Sequence, residues 1–310
     1  MTSQLRVTRL RTYPVKSLAG NDVDSAHVEP WGFAGDRRWG LIDDTGKNVT
    51  ARMVHRLLGL HAEHHGDGGI RISDRGGQSI TVPTPVGGST VPVGFSGLDS
   101  ATLASEDADA WLTERMGRSL RLVWQSDPTA RPIPEKHGGQ PGESLSLADD
   151  GPLLLVTESS LAQLNDWVAA DSEAPDVPDL DPSDVSDDPA LAPNAGNTAA
   201  FTPLDIVRFR PNVVVDGHAP FAEDRWGRVW LGGVEFRRTV LCDRCVMTTI
   251  EPTTLAGGKE PIRTLARHRR WDGKTWFGIR LAPVGLPPVG LDPNNRPTIN
   301  IGDNVRVEIG

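Results

Sequence analysis

Short runs in which hydrophobic and polar residues alternate, separated by turns, make up the N-terminal third of the chain. Residues 5–15 alternate in this way and predict a first strand, with Lys16 and Ser17 at its end. Residues 25–31 predict a second strand, and residues 39–49 predict a hairpin because a glycine lies between its two arms. This part of the chain is therefore predicted to be a module of short strands.

The hydrophobic period lengthens at residues 103–117, where apolar side chains recur on one face of a helix. Ser105 can accept a free backbone N–H at the start of this helix, and Gly117 can end it. We expect the apolar face to pack in the core, because such a stripe is the usual signature of a surface helix on a folded domain.

A second helix is predicted over residues 158–170, with Ser159 or Ser160 as its N-terminal cap. Strand patterns return in the C-terminal third, where one short basic helix is predicted over residues 261–270. The element pattern as a whole predicts a mixed, β-rich α+β fold.

The net charge of −9 is concentrated in one segment. Residues 171–188 hold eight of the 41 acidic residues and no Lys or Arg, and the remaining 33 nearly balance the 32 basic residues. Residues 171–200 are rich in Asp, Pro and Ala, so we expect a flexible insert, or alternatively an acidic docking site for a redox partner. A nearly neutral remainder argues against nucleic-acid binding.

The composition also indicates a compartment. No stretch approaches the ~18 apolar residues that a membrane span needs, so no membrane association is expected. The N-terminus lacks the apolar region of a signal peptide, and two cysteines are too few for a disulfide framework. A cytoplasmic location is the expectation.

Both cysteines lie in residues 237–250, with three arginines nearby and β-branched residues on either side. Those residues favour extended backbone, so Cys242 and Cys245 are predicted at a bend between two strands. A redox pair would need the start of a helix, and a zinc site would need two further ligands. Two buried structural cysteines, or one thiolate that ligates a soft metal within a cofactor, are the other interpretations.

Several short motifs occur in an order that resembles the MOSC family (molybdenum cofactor sulfurase C-terminal domain). Residues 209–212 read Phe-Arg-Pro-Asn, about thirty residues before the Cys-Asp-Arg-Cys of 242–245. Residues 13–17, 35–39 and 49–52 resemble the N-terminal β-barrel module that precedes the domain. The pattern is similar to that of amidoxime-reducing components and their bacterial relatives, over nearly the whole chain.

The resemblance implies a MOSC-type β-barrel preceded by a β-barrel-like N-terminal module with a few short helices. It places the N-terminal module at 4–125 and the MOSC domain at 126–170 and 201–310, with 171–200 as an insert. It also implies a bound Mo-molybdopterin (molybdenum cofactor), with Cys245 as the metal ligand. The implied cofactor-binding residues are Lys16, Ser17, Arg37, Arg210, Asn212, Asp243, Arg244 and Cys245.

Two positions depart from the family pattern. Asp243 stands where the vertebrate relatives have serine, which places an anion near the metal and makes Asp243 a candidate for proton delivery alongside His218 and solvent. Residues 150–152 read Asp-Gly-Pro where those relatives have Thr-Ser-Pro, so hydroxyl contacts from this loop are in doubt. Cys242 is expected to be structural.

The resemblance implies an enzyme that reduces N-hydroxylated small molecules. Two cysteines cannot hold a four-cysteine iron–sulfur cluster, so electrons are expected from a separate protein of the ferredoxin, flavin reductase or cytochrome type. Two alternatives stay open: a non-catalytic carrier of cofactor or sulfur that uses Cys245, and a simple thiol oxidoreductase.

Overall fold

Strands dominate the computed structural model, which describes residues 4–66, 68–171, 202–217, 219–286 and 296–310. These ranges contain twenty strands and three α-helices, which confirms the β-rich mixed fold. The helices are α1 Glu106–Met116, α2 Glu158–Asp171 and α3 Ile262–His268. The strands are β1 Val7–Thr12, β2 Asn21–Val23, β3 Ser25–Glu29, β4 Gly32–Phe33, β5 Trp39–Ile42, β6 Asn48–Val49, β7 His61–His65, β8 Gly69–Ser73, β9 Ser79–Val82, β10 Thr90–Pro92, β11 Ser100–Leu103, β12 Arg121–Trp124, β13 Leu153–Thr157, β14 Val213–Val215, β15 Trp226–Leu231, β16 Val234–Asp243, β17 Arg270–Trp271, β18 Lys274–Pro283, β19 Thr298–Asn300 and β20 Val305–Ile309.

The largest sheet has nine strands and joins the two ends of the chain. Its order is β2-β1-β14-β13-β18-β16-β15-β20, and β17 pairs with β18 outside this path. β1 is antiparallel to β14, with Leu10 opposite Val213. The first strand therefore belongs to a sheet built mostly from the C-terminal half, and the loop after β1 lies beside the loop before β14.

The N-terminal part supplies two smaller sheets with a core of their own. A five-stranded sheet has the order β10-β11-β12-β5-β6, and a three-stranded sheet has the order β7-β8-β9. Trp39 and Leu122 from the first sheet and Ile72 from the second are buried in one apolar cluster. This cluster fixes the position of the loops that follow β1 and β6.

α1 forms as predicted. The Ser105 hydroxyl accepts the Ala108 N–H at 3.3 Å, and Gly117 ends the helix with a φ of 67°. α2 is capped differently from the prediction, because the Thr157 hydroxyl accepts the Ser160 N–H at 3.2 Å. The Ser160 hydroxyl instead points into the core.

The basic helix α3 is shorter than predicted. It ends at His268, because Arg270–Trp271 leaves the helix to form β17 against the start of β18. α2 runs one residue into the predicted insert, where the Asp171 carboxylate contacts Arg267 at 3.5 Å and His268 at 3.1 Å. The rest of the insert lies outside the described residues. Within the described ranges, no helix is both long and apolar enough to cross a bilayer.

A fully buried carboxyl group, that of Glu223, lies beside the start of α2. The Ser160 hydroxyl donates to it at 2.7 Å and the Thr157 hydroxyl at 3.3 Å. Burial raises the pKa of Glu223 from its ordinary value of 4.5 to about 7, although both hydroxyls favour the charged form. The folded protein therefore holds this proton at pH values where the unfolded chain has lost it.

The raised pKa predicts a loss of stability as the pH rises from 4.5 to about 7, because the unfolded chain releases the proton first. The difference between the two pKa values lowers the free energy of unfolding at pH 8 by about 3 kcal/mol. Glu223→Gln removes the ionisation, so the free energy of unfolding of the variant should rise relative to that of wild type as the pH increases from 4.5 to 8. Urea unfolding at both pH values measures the gain. The exposed Glu158→Gln is the control, and equal pH profiles for wild type and Glu223→Gln would contradict the assignment.

Candidate cofactor-binding site

A cleft lies where the loops after β1 and β4 meet the ends of β14 and β16. Seven of the eight predicted site residues line it. They are Lys16, Ser17, Arg37, Arg210, Asp243, Arg244 and Cys245. The N-terminal residues of this set are far in sequence from the C-terminal ones. The pairing of β1 with β14 brings the two groups together.

The cleft is strongly cationic within a chain of net charge −9. Seven basic and three acidic side chains line it. The basic residues are Lys16, Arg37, Arg52, Arg208, Arg210, Arg244 and Arg280, and the acidic residues are Asp149, Asp150 and Asp243. A concave surface with this excess of positive charge attracts anions.

Three of the lining residues have strained backbone. Ser17, Arg37 and Arg210 have φ values of 74°, 50° and 54°, in the left-handed region that residues other than glycine rarely adopt. Half of the six non-glycine residues with positive φ in the described ranges are therefore at this one cleft. Such conformations persist where surrounding contacts enforce them, and they concentrate at functional sites.

Tyr13 is the buried platform beneath two of these arginines. The guanidinium carbons of Arg37 and Arg210 lie 4.4 and 4.3 Å from the centre of its ring. The Tyr13 hydroxyl donates to the Pro211 carbonyl at 3.1 Å, which fixes the ring against the loop before β14. Cation–π contact holds both guanidinium groups in place, and Arg37 also pairs with the buried carboxylate of Asp36.

Asn212 is the one predicted cofactor-binding residue that does not line the cleft. It is buried, and its Oδ1 accepts the Arg37 Nη1–H at 3.0 Å and the Leu154 N–H at 3.2 Å. Its Nδ2–H donates to the Arg11 carbonyl at 3.2 Å. The structure thus places Asn212 behind Arg37, as the residue that orients it.

Arg210 carries a charge that no carboxylate in the described ranges pairs with. Burial, together with the nearby Arg37, lowers the pKa of Arg210 to about 10. A cation kept out of water without an ion pair is costly, and a bound anion would relieve that cost. The buried Nε atoms of Arg208 and Arg244 also lack a hydrogen-bond partner. These groups fit a ligand that carries phosphate.

Asp149 balances part of the positive charge. Lys16 Nζ donates to its carboxylate and to the Leu147 carbonyl, and Arg52 lies 3.5 Å from the carboxylate. Desolvation favours the neutral acid, but Lys16, Arg52 and Arg280 outweigh it, so the pKa of Asp149 lies well below its usual range. Burial lowers the pKa of Lys16, and Asp149 opposes that effect.

The two cysteines have different surroundings. Cys242 is buried at the end of β16, where its Sγ accepts an N–H from Arg244 Nη1 at 2.7 Å. Arg244 Nη2–H also donates to the Phe209 carbonyl at 2.8 Å. Cys245 is half-buried and lines the cleft. Burial by itself lowers the pKa of Arg52, but Cys245 and Asp149 raise it above its ordinary value.

The segment after Cys245 is a 3-10 turn, Val246–Thr249, so the predicted second strand is wrong. The Thr248 hydroxyl donates to the Cys245 carbonyl at 3.0 Å, and the Thr249 hydroxyl donates to the Val246 carbonyl at 2.8 Å. These local bonds give the backbone an alternative to a sheet ladder. Cys245 therefore lies at the start of a turn, directly after a strand.

The two departures from the family pattern also lie at the cleft. Asp243 is at its rim, with its carboxylate 4.0 Å from Lys274 Nζ. Asp150 lines the wall, 3.3 Å from His137 and 3.8 Å from Arg280. His218, the other candidate for proton delivery, lies outside the described residues.

Sequence reasoning missed several lining residues. Arg52 falls within the motif at residues 49–52, and Arg208 lies two positions before Arg210. Asp149 precedes the Asp-Gly-Pro loop without a motif of its own. Arg280 gives no local signal, because its position follows from the pairing of β18 with β13, in which it lies opposite Leu154.

The unpaired charge of Arg210 predicts affinity for phosphate groups. Arg210→Gln should weaken binding of pyrophosphate to the cofactor-free protein by about ten- to a hundredfold, because a charge-assisted hydrogen bond contributes about 1.5–3 kcal/mol. Isothermal titration calorimetry at low salt measures the affinity. The control is Arg306→Gln, since Arg306 also stacks on an aromatic ring, that of Trp230, but lies outside the cleft. Equal affinities for wild type and Arg210→Gln would contradict the expectation.

Several known proteins are similar to this chain over most of its length. Human mitochondrial amidoxime-reducing component 1 is 29% identical over 311 residues, which cover 96% of this chain and 82% of that protein. A molybdenum cofactor sulfurase of Danio rerio is 25% identical, and the match covers 98% of this chain but 34% of that protein. The crystal structure of the YUAD protein from Bacillus subtilis covers 99% of this chain and 97% of its own, with 11% identity and a TM-score of 0.39.

Family matches cover both halves of the chain. Residues 4–119 match the MOSC N-terminal beta barrel domain. Residues 142–306, more than half of the chain, match the MOSC domain. The motif resemblance is thereby confirmed, and the protein belongs to the MOSC family.

Proposed function

We propose that this protein is a molybdenum-cofactor-dependent oxidoreductase that reduces N-hydroxylated small molecules. The observation that carries the proposal is the cationic cleft with one thiol, that of Cys245, in its wall. A thiolate is a soft ligand suited to a transition metal, and arginines suit a phosphate tail. When bound there, the molybdenum cofactor supplies the redox centre at which oxygen is removed from the substrate.

Each part of the cleft has a role in this proposal. Cys245 ligates the metal, and Arg37 and Arg210, fixed on Tyr13, bind the phosphate. The unpartnered Nε–H groups of Arg208 and Arg244 are donors for the polar edge of the organic part. Ser17 and Lys16 close the N-terminal side, and Asn212 acts through Arg37.

The reaction has to balance electrons and protons. Reduction of R–NH–OH to R–NH2 and water takes two electrons and two protons. We assign the electrons to a separate redox protein. Asp149 is a poor proton donor because three cations hold its pKa low. Asp243 lies at the solvent-exposed rim and is the proposed proton relay.

The names of the curated relatives support this class of function. Several are mitochondrial amidoxime-reducing components, from human, mouse and other vertebrates. Others are molybdenum cofactor sulfurases, and the chain spans about a third of their length. The second group favours one alternative, a carrier of cofactor or sulfur that uses Cys245 without turnover.

Substitution of the two cysteines tests the proposal. Cys245→Ala should lose molybdenum and all reduction of an N-hydroxylated amidine by reduced methyl viologen, because it removes the only protein thiol in the cleft wall. Cys242→Ala should keep molybdenum, since the buried Cys242 contacts Arg244 rather than the cleft. Elemental analysis and an amidine assay on protein made in a cofactor-competent host are the measurements.

The outcomes separate the two candidates. Wild-type protein that binds molybdenum or labile sulfur but reduces no hydroxylamine or N-hydroxylated amidine would support the carrier and contradict the enzyme. Equal loss of metal from both cysteine variants would instead indicate a two-thiolate site.

Asp243 gives a separate prediction. Asp243→Asn keeps the size of the side chain but cannot carry a proton, so kcat with reduced methyl viologen should fall about a hundredfold while molybdenum content stays the same. Asp166→Asn, an exposed aspartate on α2, is the control. An unchanged kcat would show that protons reach the cleft by another route.

A further inference from the structure

A second cavity adjoins the cleft and has no part in the proposed function. Its volume is about 90 Å³, and three of its lining residues, Arg208, Arg210 and Met247, also line the cleft. The other described residues that line it, such as Leu58 and Val207, do not line the cleft. The two cavities are therefore neighbouring sites that share one wall.

The walls of the second cavity are mostly apolar. Leu58, Val207, Ile250 and Pro252 line it, together with the shared Met247. Leu58 and Met247 also pack against the N-terminal apolar core, and Val207 packs against a C-terminal one. The cavity thus lies where elements from both halves of the chain meet. Water forms no hydrogen bonds with such walls, so they favour the apolar body of a ligand.

Arg208 brings an uncompensated charge to the wall between the two cavities. Its buried Nε–H has no hydrogen-bond partner, and its guanidinium group makes no ion pair with any described residue. Burial lowers the pKa of Arg208, and the carboxylates of Glu251 and Asp205 only partly offset this effect. Both carboxylates are engaged elsewhere, because Asp205 accepts the Val207 N–H at 3.0 Å and Glu251 accepts the Thr254 N–H.

Arg210 brings a second such charge, whereas the third arginine of the cavity is neutralised. Arg210 stacks on Tyr13 and pairs with no carboxylate in the described ranges. Arg11 lies 2.6 Å from the carboxylate of Asp22. The cavity therefore has two guanidinium groups, those of Arg208 and Arg210, that are free to bind an anion. A planar guanidinium forms paired, charge-assisted hydrogen bonds with a carboxylate.

The volume limits the size of the ligand. An enclosed cavity of about 150 Å³ holds a benzene ring. At about 90 Å³ the second cavity is smaller, so it favours a short aliphatic chain over an aromatic ring. Two guanidinium groups on one wall and apolar side chains on the others together match a carboxylate that carries a few CH2 groups.

We propose that the second cavity binds a short-chain aliphatic carboxylate, with its carboxylate group on Arg208 and Arg210. Its chain packs against Leu58, Val207 and Ile250. The inference goes beyond the proposed function, because it requires no bound metal. Each guanidinium has several N–H donors, so an anion in the cleft leaves donors for a second anion in the cavity. The two anions still repel each other, so each should weaken the binding of the other by the same factor.

The first test varies the ligand. The full chain is titrated in phosphate-free buffer with butyrate, acetate and butyramide, and the NMR signals of each ligand report its binding. Butyrate should bind about tenfold more tightly than acetate, because it buries two more CH2 groups. It should also bind about tenfold more tightly than butyramide, which has no charge. Equal affinity of butyrate and either of the other two ligands, or no binding of butyrate, would overturn the proposal.

The second test fills the cavity. Val207→Phe and Leu58→Phe enlarge side chains on walls that do not line the cleft, so each should weaken butyrate binding about tenfold. Val86→Phe is the matched control, since Val86 is 89% exposed and lines neither cavity. Thermal unfolding shows whether each variant keeps the fold. Wild-type affinity for butyrate in a folded Val207→Phe or Leu58→Phe variant would overturn the proposal.

The third test measures the coupling with the cleft by isothermal titration calorimetry. Saturating butyrate should weaken pyrophosphate binding to the cofactor-free protein about fivefold, and Val207→Phe should remove this effect. An affinity for pyrophosphate that butyrate leaves unchanged would place butyrate away from the shared arginines and overturn the proposal. Absence of pyrophosphate binding would instead contradict the assignment of the cleft, and the first two tests would still decide the cavity.

Discussion

The buried amide of Asn212 is the interaction on which the cleft depends. Its oxygen accepts from Arg37 and from the Leu154 backbone, and its nitrogen donates to the Arg11 carbonyl. It therefore joins the end of β1, the loop after β4 and the start of β13. These bonds reinforce the pairing of β1 with β14 in fixing the N-terminal loops beside the cysteine segment. One buried side chain thus ties together three separate parts of the framework that forms the cleft.

The second constraint is electrostatic. Seven cations surround three carboxylates, and stacking on Tyr13 holds two of the cations, Arg37 and Arg210, in place. Their backbone conformations, like that of Ser17, are strained and add to the cost of the arrangement. Like charges at this density repel each other, so the arrangement is costly for the cofactor-free chain. A phosphate-bearing anionic ligand offsets that cost. Burial, and after it the neighbouring Arg37, lowers the pKa of Arg210, so part of this cost falls on that residue.

Local signals predicted much of the fold. Ser105 and Gly117 set the ends of α1, and the alternating runs at residues 5–15 and 25–31 predicted strands where β1 and β3 lie. The motifs also named seven residues that line the cleft. The rest depended on distant pairing: Arg280 faces the cleft through the register of β18 against β13. In Val246–Thr249, hydroxyl-to-carbonyl bonds overrode the strand propensity of β-branched residues.

The central claim is that the Cys245 thiolate reaches a molybdenum ion whose organic ligand is held by cations from both halves of the chain. X-ray absorption at the molybdenum edge tests it most directly, on protein made in a cofactor-competent host. The account predicts three sulfur neighbours, two from the cofactor's dithiolene and one from Cys245. A metal centre with only the two dithiolene sulfurs, or protein that acquires no molybdenum, would contradict it.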